Sequence, residues 1–370
     1  MPGVLAIGLM SGTSLDGVDA AVIETDGERI FNFGPTFCRP YPDEERDVLR
    51  EALAAAVSLT DRNARPGVLA VAEALITATH AEVVEHVLRE NAISARDIAV
   101  VGFHGQTVIH KPQSRLTVQV GHGPALARRL GIPVVHDFRQ EDIQAGGQGA
   151  PLVPVYHRAI IQTVIRPHPV AVLNIGGVAN ITFVNGGPDP IACDTGPGNA
   201  LIDDFMRART GAPYDDNGDA AAGGTPDQAF IARVLAHPFF DLKPPKSLDR
   251  NAFAFANIGL PEFSVADGAA TLSALTVEAV ARVVPHLPEP PRAWVVGGGG
   301  ARNRTLMKML GDKLAPASVE TADQAGWSAD ALEAQAFAFL AVRSMRGLPI
   351  TFPTTSGAPR PMPGGVLARP

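Results

Sequence analysis

Short apolar runs alternate with longer amphipathic stretches along most of the chain. The apolar runs predict strands at residues 4–10, 18–23, 98–103, 132–135, 170–175, 178–184 and 293–296. Helical periodicity predicts helices at residues 43–57, 66–89, 200–209, 227–235, 269–284, 302–314 and 329–346. We expect an irregular polar loop at residues 137–149 and an irregular tail at residues 349–370. Strands that alternate with helices are typical of an α/β architecture.

The strand pattern contains two similar units of strand, small-residue turn and strand. The turn glycines Gly12 and Gly177 lie 165 residues apart, close to half of the 370 residues. This spacing predicts two similar halves. We therefore expect an N-terminal lobe at residues 1–135 and a C-terminal lobe at residues 136–370. Whether the tail returns to the first lobe is left open.

Composition narrows the class of protein. A hydrophobic share of 46% and a mean hydropathy of +0.10 exclude global disorder, which needs low hydrophobicity. The net charge of −7 argues against general nucleic-acid binding, which needs a basic surface. Two cysteines provide no disulfide framework, and neither a signal peptide nor a membrane-length apolar run is evident. We expect a cytoplasmic protein with neither a nucleic-acid nor a membrane partner.

Three small-residue turns each follow an apolar strand and suit phosphate binding. They are residues 11–14, 174–177 and 297–300. Glycine lets backbone N–H groups approach a ligand closely, and hydroxyl groups add further donors. The chain contains neither a Gly-Lys pair for a Walker loop nor a dinucleotide fingerprint. Each turn alone is explained by tight backbone geometry, but the three together favour a nucleotide held between two lobes.

Three aspartates adjoin these turns. Asp16 and Asp19 flank the first turn, where a carboxylate suits Mg²⁺ either directly or through water. Asp16 can equally serve as a turn residue before Gly17. Asp194 lies between an apolar run and a predicted helix, where an acid can accept a proton from a hydroxyl group or water. Taken in isolation, Asp194 is better explained as a residue that satisfies the backbone of the Gly-Pro-Gly turn.

The remaining chemically reactive residues give weaker signals. The spacings of His104, His110, His122 and His136 match no zinc motif, so local hydrogen bonds or substrate contacts explain them better. Cys193 has no evident histidine partner and is expected to pack as a small apolar residue. Glu333 lies in an otherwise apolar helix, from which it can point to solvent or reach a ligand.

Residues 8–19, Gly-Leu-Met-Ser-Gly-Thr-Ser-Leu-Asp-Gly-Val-Asp, closely resemble the opening of the anhydro-N-acetylmuramic acid kinases. Further segments resemble the same family in the same order: residues 104–107, 137–139, 145–154, 173–180, 194–199, 297–303 and 333–338. The resemblance implies the two-lobed actin, Hsp70 and sugar-kinase fold (ribonuclease H-like), with ATP in the cleft between the lobes. It also implies ATP-dependent conversion of 1,6-anhydro-N-acetylmuramic acid and water to N-acetylmuramic acid 6-phosphate and ADP, a step in peptidoglycan recycling.

The resemblance also implies roles for individual residues. Asp194 would be the catalytic base, and Asp16 would hold Mg²⁺, directly or through water. ATP would be bound by Gly12, Thr13, Ser14, Leu15, Asp16, Gly17, Val18, Asp19, Gly176, Gly177, Gly298, Gly299 and Asn303. The sugar would be bound by Ser11, His104, Gln106 and Glu333. A homodimer is expected by the same analogy.

Two segments depart from the family pattern, and two other functions remain open. The family usually has a Gly-Asp pair where this chain has Gly121, His122 and Gly123. It usually has Lys-Ser-Thr-Gly-Arg-Glu at residues 246–251, where this chain has Lys-Ser-Leu-Asp-Arg-Asn. The alternatives are a kinase of the same fold that acts on another amino sugar, and a non-catalytic ATP-dependent regulatory protein.

Overall fold

The computed structural model describes residues 2–12, 14–248 and 252–370. The strands are β1 Val4–Ser11, β2 Gly17–Thr25, β3 Ile30–Pro40, β4 Ile98–Lys111, β5 Leu116–Val120, β6 Val134–His136, β7 Val170–Ile175, β8 Val178–Val184, β9 Ile191–Pro197, β10 Ala293–Gly297, β11 Ser318–Thr321 and β12 Val366–Ala368. The helices are α1 Asp43–Ala56, α2 Val68–Glu90, α3 Gly123–Leu130, α4 Gln140–Ala145, α5 Pro154–Ile161, α6 Asn199–Thr210, α7 Asp219–Ala222, α8 Gln228–Leu235, α9 Phe255–Ile258, α10 Val265–Val283, α11 Arg304–Leu314 and α12 Leu332–Met345.

The chain forms two compact units. The first unit contains Met1–Thr163 and Asp330–Pro370, and the second contains Val164–Ala329. These bounds differ from the predicted lobes at residues 1–135 and 136–370. The reason is packing that the local pattern does not reveal: α12 packs on β1 and β4, and β12 pairs with β6. The C-terminal segment therefore returns to the first unit.

Each unit contains one mixed sheet, and the two sheets share a topology. The order is β12-β6-β4-β1-β2-β3 in the first unit, with β5 beside β4, and β11-β10-β7-β8-β9 in the second. In each sheet an antiparallel three-strand meander starts from a central strand, β1 or β7. The other edge of that strand pairs in parallel with β4 or β10. This confirms the prediction of two similar halves.

Helix α12 lies unusually close to the sheet of the first unit. Gly8 of β1 and Gly102 of β4 are neighbours in register. A methyl group at Gly8 would lie 1.8 Å from the carbonyl oxygen of Ala334, and one at Gly102 would lie 2.0 Å from that of Phe337. Both glycines are therefore required for this helix-to-sheet distance. The opposite face packs against α1 and α2 around Ile7, Leu49 and Ile76.

Helices α10 and α11 cover the sheet of the second unit. Leu173, Trp294 and Val296 of the sheet pack with Val280 of α10 and Leu310 of α11. A second apolar cluster joins α10 to α6 and α8 through Leu275, Phe205 and Phe230. In the described part of the chain, no helix is long and apolar enough to cross a membrane.

Three sequence predictions about local structure were wrong. Strand β4 does not stop at residue 103 but continues to Lys111, because β5 pairs with its second half. The predicted loop at residues 137–149 contains α4. The tail is not wholly irregular, because it contains β12. Strands β3, β5, β9 and β11 and helices α3, α5, α7 and α9 were not predicted, since most are short or exposed.

Candidate active site

The first small-residue turn joins β1 to β2. Gly12, Ser14 and Asp16 are partly or fully exposed there, whereas Leu15 is buried. The N–H group of Leu15 donates to the carbonyl oxygen of Gly12 over 3.2 Å and closes the turn. Thr13 lies outside the described residues. The buried leucine anchors the turn, so that its polar side chains face solvent.

Acidic groups surround the end of this hairpin. Asp19 of β2 lies opposite Cys38 of β3, and burial raises its pKa, with the negative charges of Asp16 and Asp330 adding to the effect. Val18 beside it is buried and Gly17 begins β2. Within the described residues, no three acidic, histidine or cysteine side chains are grouped as a metal site. The hairpin therefore carries carboxylate oxygens at Asp16 and Asp19.

The predicted sugar-binding residues of β1 and β4 are in contact. The hydroxyl group of Ser11 donates to Oε1 of Gln106 over 2.5 Å and lies 2.9 Å from the hydroxyl oxygen of Tyr41. Ser11 and Gln106 are fully buried. The parallel pairing of β1 with β4 places these two residues opposite each other. Tyr41 is a polar partner that the sequence analysis missed, because it lies in an unpredicted segment after β3.

His104 and Glu333 also belong to the first unit. His104 of β4 is 4% exposed and packs against the ring of Phe337 of α12. Glu333, in the first turn of α12, has a solvent-exposed side chain. Surrounding protein nevertheless displaces bulk water and raises its pKa, although the positive charge of Arg139 acts in the opposite direction. Glu333 therefore does not point into the apolar core of α12.

A cavity of about 460 Å³ lies beside His104 in the first unit. His122, one of the departures from the family pattern, lines it and caps α3 by accepting a hydrogen bond of 3.0 Å at Nδ1 from the N–H group of Ala125. Arg62 and Asp137 form an ion pair of 2.7 Å on the same wall. The cavity is thus polar and largely preorganised.

The second small-residue turn, Gly176 and Gly177, joins β7 to β8. The carbonyl oxygen of Gly176 accepts a hydrogen bond of 2.7 Å from Asn199, and that of Gly177 accepts one of 3.1 Å from Gly198. These bonds attach the turn to the start of α6. This turn joins a central strand of its sheet to the next antiparallel strand, as the turn between β1 and β2 does in the first unit.

The third small-residue turn borders a cavity of about 620 Å³ in the second unit. Gly298 has φ of +78°, and a side chain there would collide with Asn174. Gly299 and Asn303 line the cavity, and Oδ1 of Asn303 accepts a hydrogen bond of 2.8 Å from Leu306 to cap α11. The exposed ring of Tyr214 lies on the same cavity. The size and lining suit a nucleoside.

Asp194 lies inside β9, opposite Asn180 of β8, and not between a strand end and a helix as the sequence predicted. Its N–H group donates to the carbonyl oxygen of Lys246 over 2.9 Å, and Oδ2 accepts a hydrogen bond of 2.7 Å from the N–H group of Leu248. Burial raises the pKa of Asp194 to about 6. The hydrogen bond from the Leu248 N–H group and the positive charge of Lys246 act in the opposite direction, because both stabilise the ionised carboxylate. Such a carboxylate can accept a proton near neutral pH.

Lys246 is a functional candidate that the sequence analysis mentioned only as part of a departure from the family pattern. Its ammonium group donates to the carbonyl oxygens of Phe239 over 3.0 Å and Phe240 over 3.4 Å. It also lies 4.4 Å above the ring of Phe239. The departure at Asp249 lies outside the described residues. Cys193 is buried and its pKa is raised to about 12 by burial, which agrees with the prediction of a packing role.

Nearly the whole chain is similar to one protein family. A family model described as anhydro-N-acetylmuramic acid kinase matches residues 4–369. A protein of that name from Nitrobacter winogradskyi is 58% identical over 365 residues, which cover 99% of each chain. Another of that name from Rhodopseudomonas palustris (strain ATCC BAA-98 / CGA009) is 59% identical over 365 residues, with the same coverage. Among solved structures, component A of (R)-2-hydroxyglutaryl-CoA dehydratase from Acidaminococcus fermentans covers 93% of this chain and 99% of its own, at 13% identity and a TM-score of 0.46.

Proposed function

Because the chain belongs to the anhydro-N-acetylmuramic acid kinase family, we propose that it phosphorylates 1,6-anhydro-N-acetylmuramic acid at O6 with ATP. Water opens the 1,6-anhydro ring in the same reaction, and the products are N-acetylmuramic acid 6-phosphate and ADP. The observation that carries the proposal is the carboxyl group of Asp194, which is held by a backbone donor and has a pKa of about 6.

Asp194 acts as the general base in this reaction. An ordinary sugar kinase removes a proton from the attacking hydroxyl group, but O6 of the anhydro sugar is an ether oxygen and has none. Asp194 instead takes a proton from water as the water oxygen bonds to the anomeric carbon. The bond between that carbon and O6 breaks, and O6 bonds to the γ-phosphorus as ADP leaves. The proton on Asp194 is the one that the reaction releases to solvent.

ATP binding is assigned to three small-residue turns. The phosphates would contact residues 12–19 and the Gly176–Gly177 turn, and the adenosine would occupy the cavity lined by Gly299 and Asn303. Exposed backbone and hydroxyl groups at such turns are suited to phosphate oxygens. Asp16 would hold Mg²⁺, directly or through water, since its exposed carboxylate fits an ion that prefers hard oxygen ligands. When bound, Mg²⁺ would neutralise charge on the phosphate oxygens.

Sugar binding is assigned to Ser11, His104, Gln106 and Glu333. The first three form a buried polar group on β1 and β4, and Glu333 is at the N-terminal end of α12, which packs on the same strands. Hydroxyl, imidazole, amide and carboxylate groups together can match the mixed donors and acceptors of an amino sugar.

An ADP-release assay tests the proposal. The full chain is supplied with ATP and 1,6-anhydro-N-acetylmuramic acid, N-acetylmuramic acid or N-acetylglucosamine. We expect rapid ADP release only with the anhydro sugar, and with ¹⁸O-labelled water we expect the label on the anomeric hydroxyl group. Faster release with another amino sugar would favour a different kinase, and no release with any sugar would favour a regulatory ATP-binding protein.

A homodimer and a cytoplasmic location are also proposed, on the family analogy and the two-cysteine composition respectively. Light scattering of the purified chain measures the first. A molar mass near 38.7 kDa instead of twice that value would contradict it.

A further inference from the structure

The side chain of Lys246 reaches back along the chain to a buried aromatic pair. Its ammonium group donates to the carbonyl oxygens of Phe239 over 3.0 Å and Phe240 over 3.4 Å. It also lies 4.4 Å from the centroid of the Phe239 ring, and the face of an aromatic ring attracts a cation. Lys246 is 9% exposed, so water competes weakly for these contacts. The side chain therefore closes a loop from residue 239 to residue 246.

The aromatic end of this loop is packed against the strand that carries Asp194. Phe239 and Phe240 belong to a one-turn 3₁₀ helix, Pro238–Asp241, and both rings are buried. The two ring centroids are 5.4 Å apart. A methyl group at Gly196 of β9 would lie 3.0 Å from Cε1 of Phe240, so this ring touches the strand two residues after Asp194. Packing thus fixes the two acceptors of the ammonium group relative to β9.

The backbone at the lysine end of the loop holds Asp194. The carbonyl oxygen of Lys246 accepts a hydrogen bond of 2.9 Å from the N–H group of Asp194. Two residues later, the N–H group of Leu248 donates to Oδ2 of Asp194 over 2.7 Å. Because a single residue separates Lys246 from Leu248, a displacement of the first also displaces the N–H group of the second.

The segment that supplies this donor has no regular structure of its own. Residues 242–248 form neither a helix nor a strand. A backbone group in such a segment is not held by a ladder of hydrogen bonds, so side-chain contacts must fix its position. Burying an ammonium group costs free energy that an apolar side chain of similar length would not cost. The charge of Lys246 is therefore better explained by positioning than by stability.

We propose that Lys246 is a positioning residue: its ammonium group, bonded to the Phe239 and Phe240 carbonyl oxygens, holds the Leu248 N–H group against the carboxyl group of Asp194. The inference rests on the proposed function for the reaction in which Asp194 acts. A general base must direct an oxygen at the water that it deprotonates. With Oδ2 held by Leu248, the carboxyl group cannot turn freely, and its direction is fixed before the sugar binds.

Charged and titratable groups of the neighbouring elements also act on Lys246. Burial lowers the pKa of Lys246, whereas Cys193 of β9, Asp241 and Asp194 act in the opposite direction. Asp241 also forms an ion pair of 3.4 Å with Arg282 of α10. The positive charge of Lys246 in turn lowers the pKa of Asp194. Lys246 thus acts on Asp194 through its charge as well as through Leu248, and the two effects need separate measurements.

Amide hydrogen exchange at Leu248 tests the anchor without any substrate. The full chain is labelled with nitrogen-15 leucine, and the Leu248 signal is assigned by its loss in Leu248→Met. Lys246→Met keeps the length of the side chain and a favourable contact with the Phe239 ring, but it removes the charge and the donors. We expect exchange at Leu248 to be about tenfold faster in Lys246→Met, the scale of one lost hydrogen bond.

Lys243→Met is the matched control, because Lys243 is exposed in the same segment, and exchange at Leu248 should not change in it. Unchanged exchange in Lys246→Met would overturn the proposal, since the ammonium group would then not hold the donor in place.

The pH dependence of ADP release measures the consequence for the reaction. Loss of the Leu248 hydrogen bond and of the positive charge both destabilise the ionised carboxylate, so kcat/KM of Lys246→Met should break about one pH unit higher. Its kcat above the break should fall about tenfold, because the base is no longer directed at the water. ATP affinity, measured by calorimetry, should not change. A higher break with the original kcat above it would show an effect of charge alone and would overturn the positioning role.

A second variant covers the case in which Lys246→Met does not fold. Leu248→Pro removes the same N–H donor and leaves Lys246 in place, so it should also lower kcat and raise the break. An original kcat and an original break in Leu248→Pro would overturn the proposal. If the unaltered protein releases no ADP with any sugar, the proposed function fails while the exchange result at Leu248 still stands.

Discussion

The carboxyl group of Asp194 accepts a hydrogen bond of 2.7 Å from the backbone N–H group of Leu248, 54 residues later in the chain. The contact orients the carboxylate without neutralising it. Because burial still raises the pKa of Asp194 to about 6, the group is ionised at neutral pH and remains a useful base.

Replacement of the carboxylate with an amide removes the base and preserves the shape of the side chain. Asp194→Asn should keep ATP affinity and lose about 100-fold or more in kcat, the usual contribution of a general base. ADP release and ATP titration calorimetry measure the two quantities. Asp241→Asn, an exposed aspartate of the same unit, is the matched control. Turnover of Asp194→Asn within a few-fold of the original would exclude the role.

The rate should depend on pH through the same group. A base must be ionised to act, so kcat/KM should rise with pH and level off above a pKa of about 6. A profile measured from pH 4.5 to 8 with saturating ATP locates this break. A break near pH 4 would mean that Asp194 is solvated in the working enzyme, contrary to its burial.

The raised pKa also predicts a pH-dependent cost to stability. The pKa of Asp194 in the folded state lies above the ordinary value of 3.8, so the folded protein favours the protonated carboxyl group. The resulting contribution to the free energy of unfolding is complete below pH 3.8 and is lost as pH rises through about 6. At pH 8, Asp194→Asn should be more stable than the original by at most about 3 kcal/mol, with no such gain at pH 3.5. Urea unfolding at both pH values measures the difference. A gain that is equal at both would contradict the assignment.

The close packing of α12 on the first sheet predicts a large effect of one methyl group. Gly102→Ala would place Cβ 2.0 Å from the carbonyl oxygen of Phe337, so the helix must shift. We expect a loss of about 3 kcal/mol in the free energy of unfolding. Gly311→Ala in α11 is the control: its new methyl group meets no atom within 4 Å, and it should stabilise by up to about 1 kcal/mol.

Tyr214 tests the assignment of the larger cavity to adenosine. Its ring is 56% exposed and lines that cavity, where it could stack on a purine. Tyr214→Ala should raise the KM for ATP about tenfold, since stacking of a base on an aromatic ring contributes roughly 1–3 kcal/mol. Tyr214→Phe should behave like the original, and the KM for the sugar should not change in either variant. An unaltered KM for ATP in Tyr214→Ala would place the adenosine elsewhere.

Local pattern predicted the long elements well and the short ones poorly. Helices α1 and α2 match their predicted bounds closely, because each presents an apolar face over many turns. Strand β4 was cut short at His104, since a polar Gly-containing motif usually ends a strand. Its pairing with β5 overrides that preference and keeps Gln106 within hydrogen-bonding distance of Ser11.

The sequence alone determined the alternation of strands and helices, the doubled arrangement and the three small-residue turns. These features depend on backbone preferences and side-chain periodicity within a few residues. The tertiary structure decided the raised pKa of Asp194, the hydrogen bond of Ser11 to Gln106 and the place of the C-terminal segment. The first follows from burial by surrounding segments, and the other two depend on Gln106 and Gly102, which are far away in the chain. Only packing brings such groups together, since burial and hydrogen-bond geometry are properties of the folded chain.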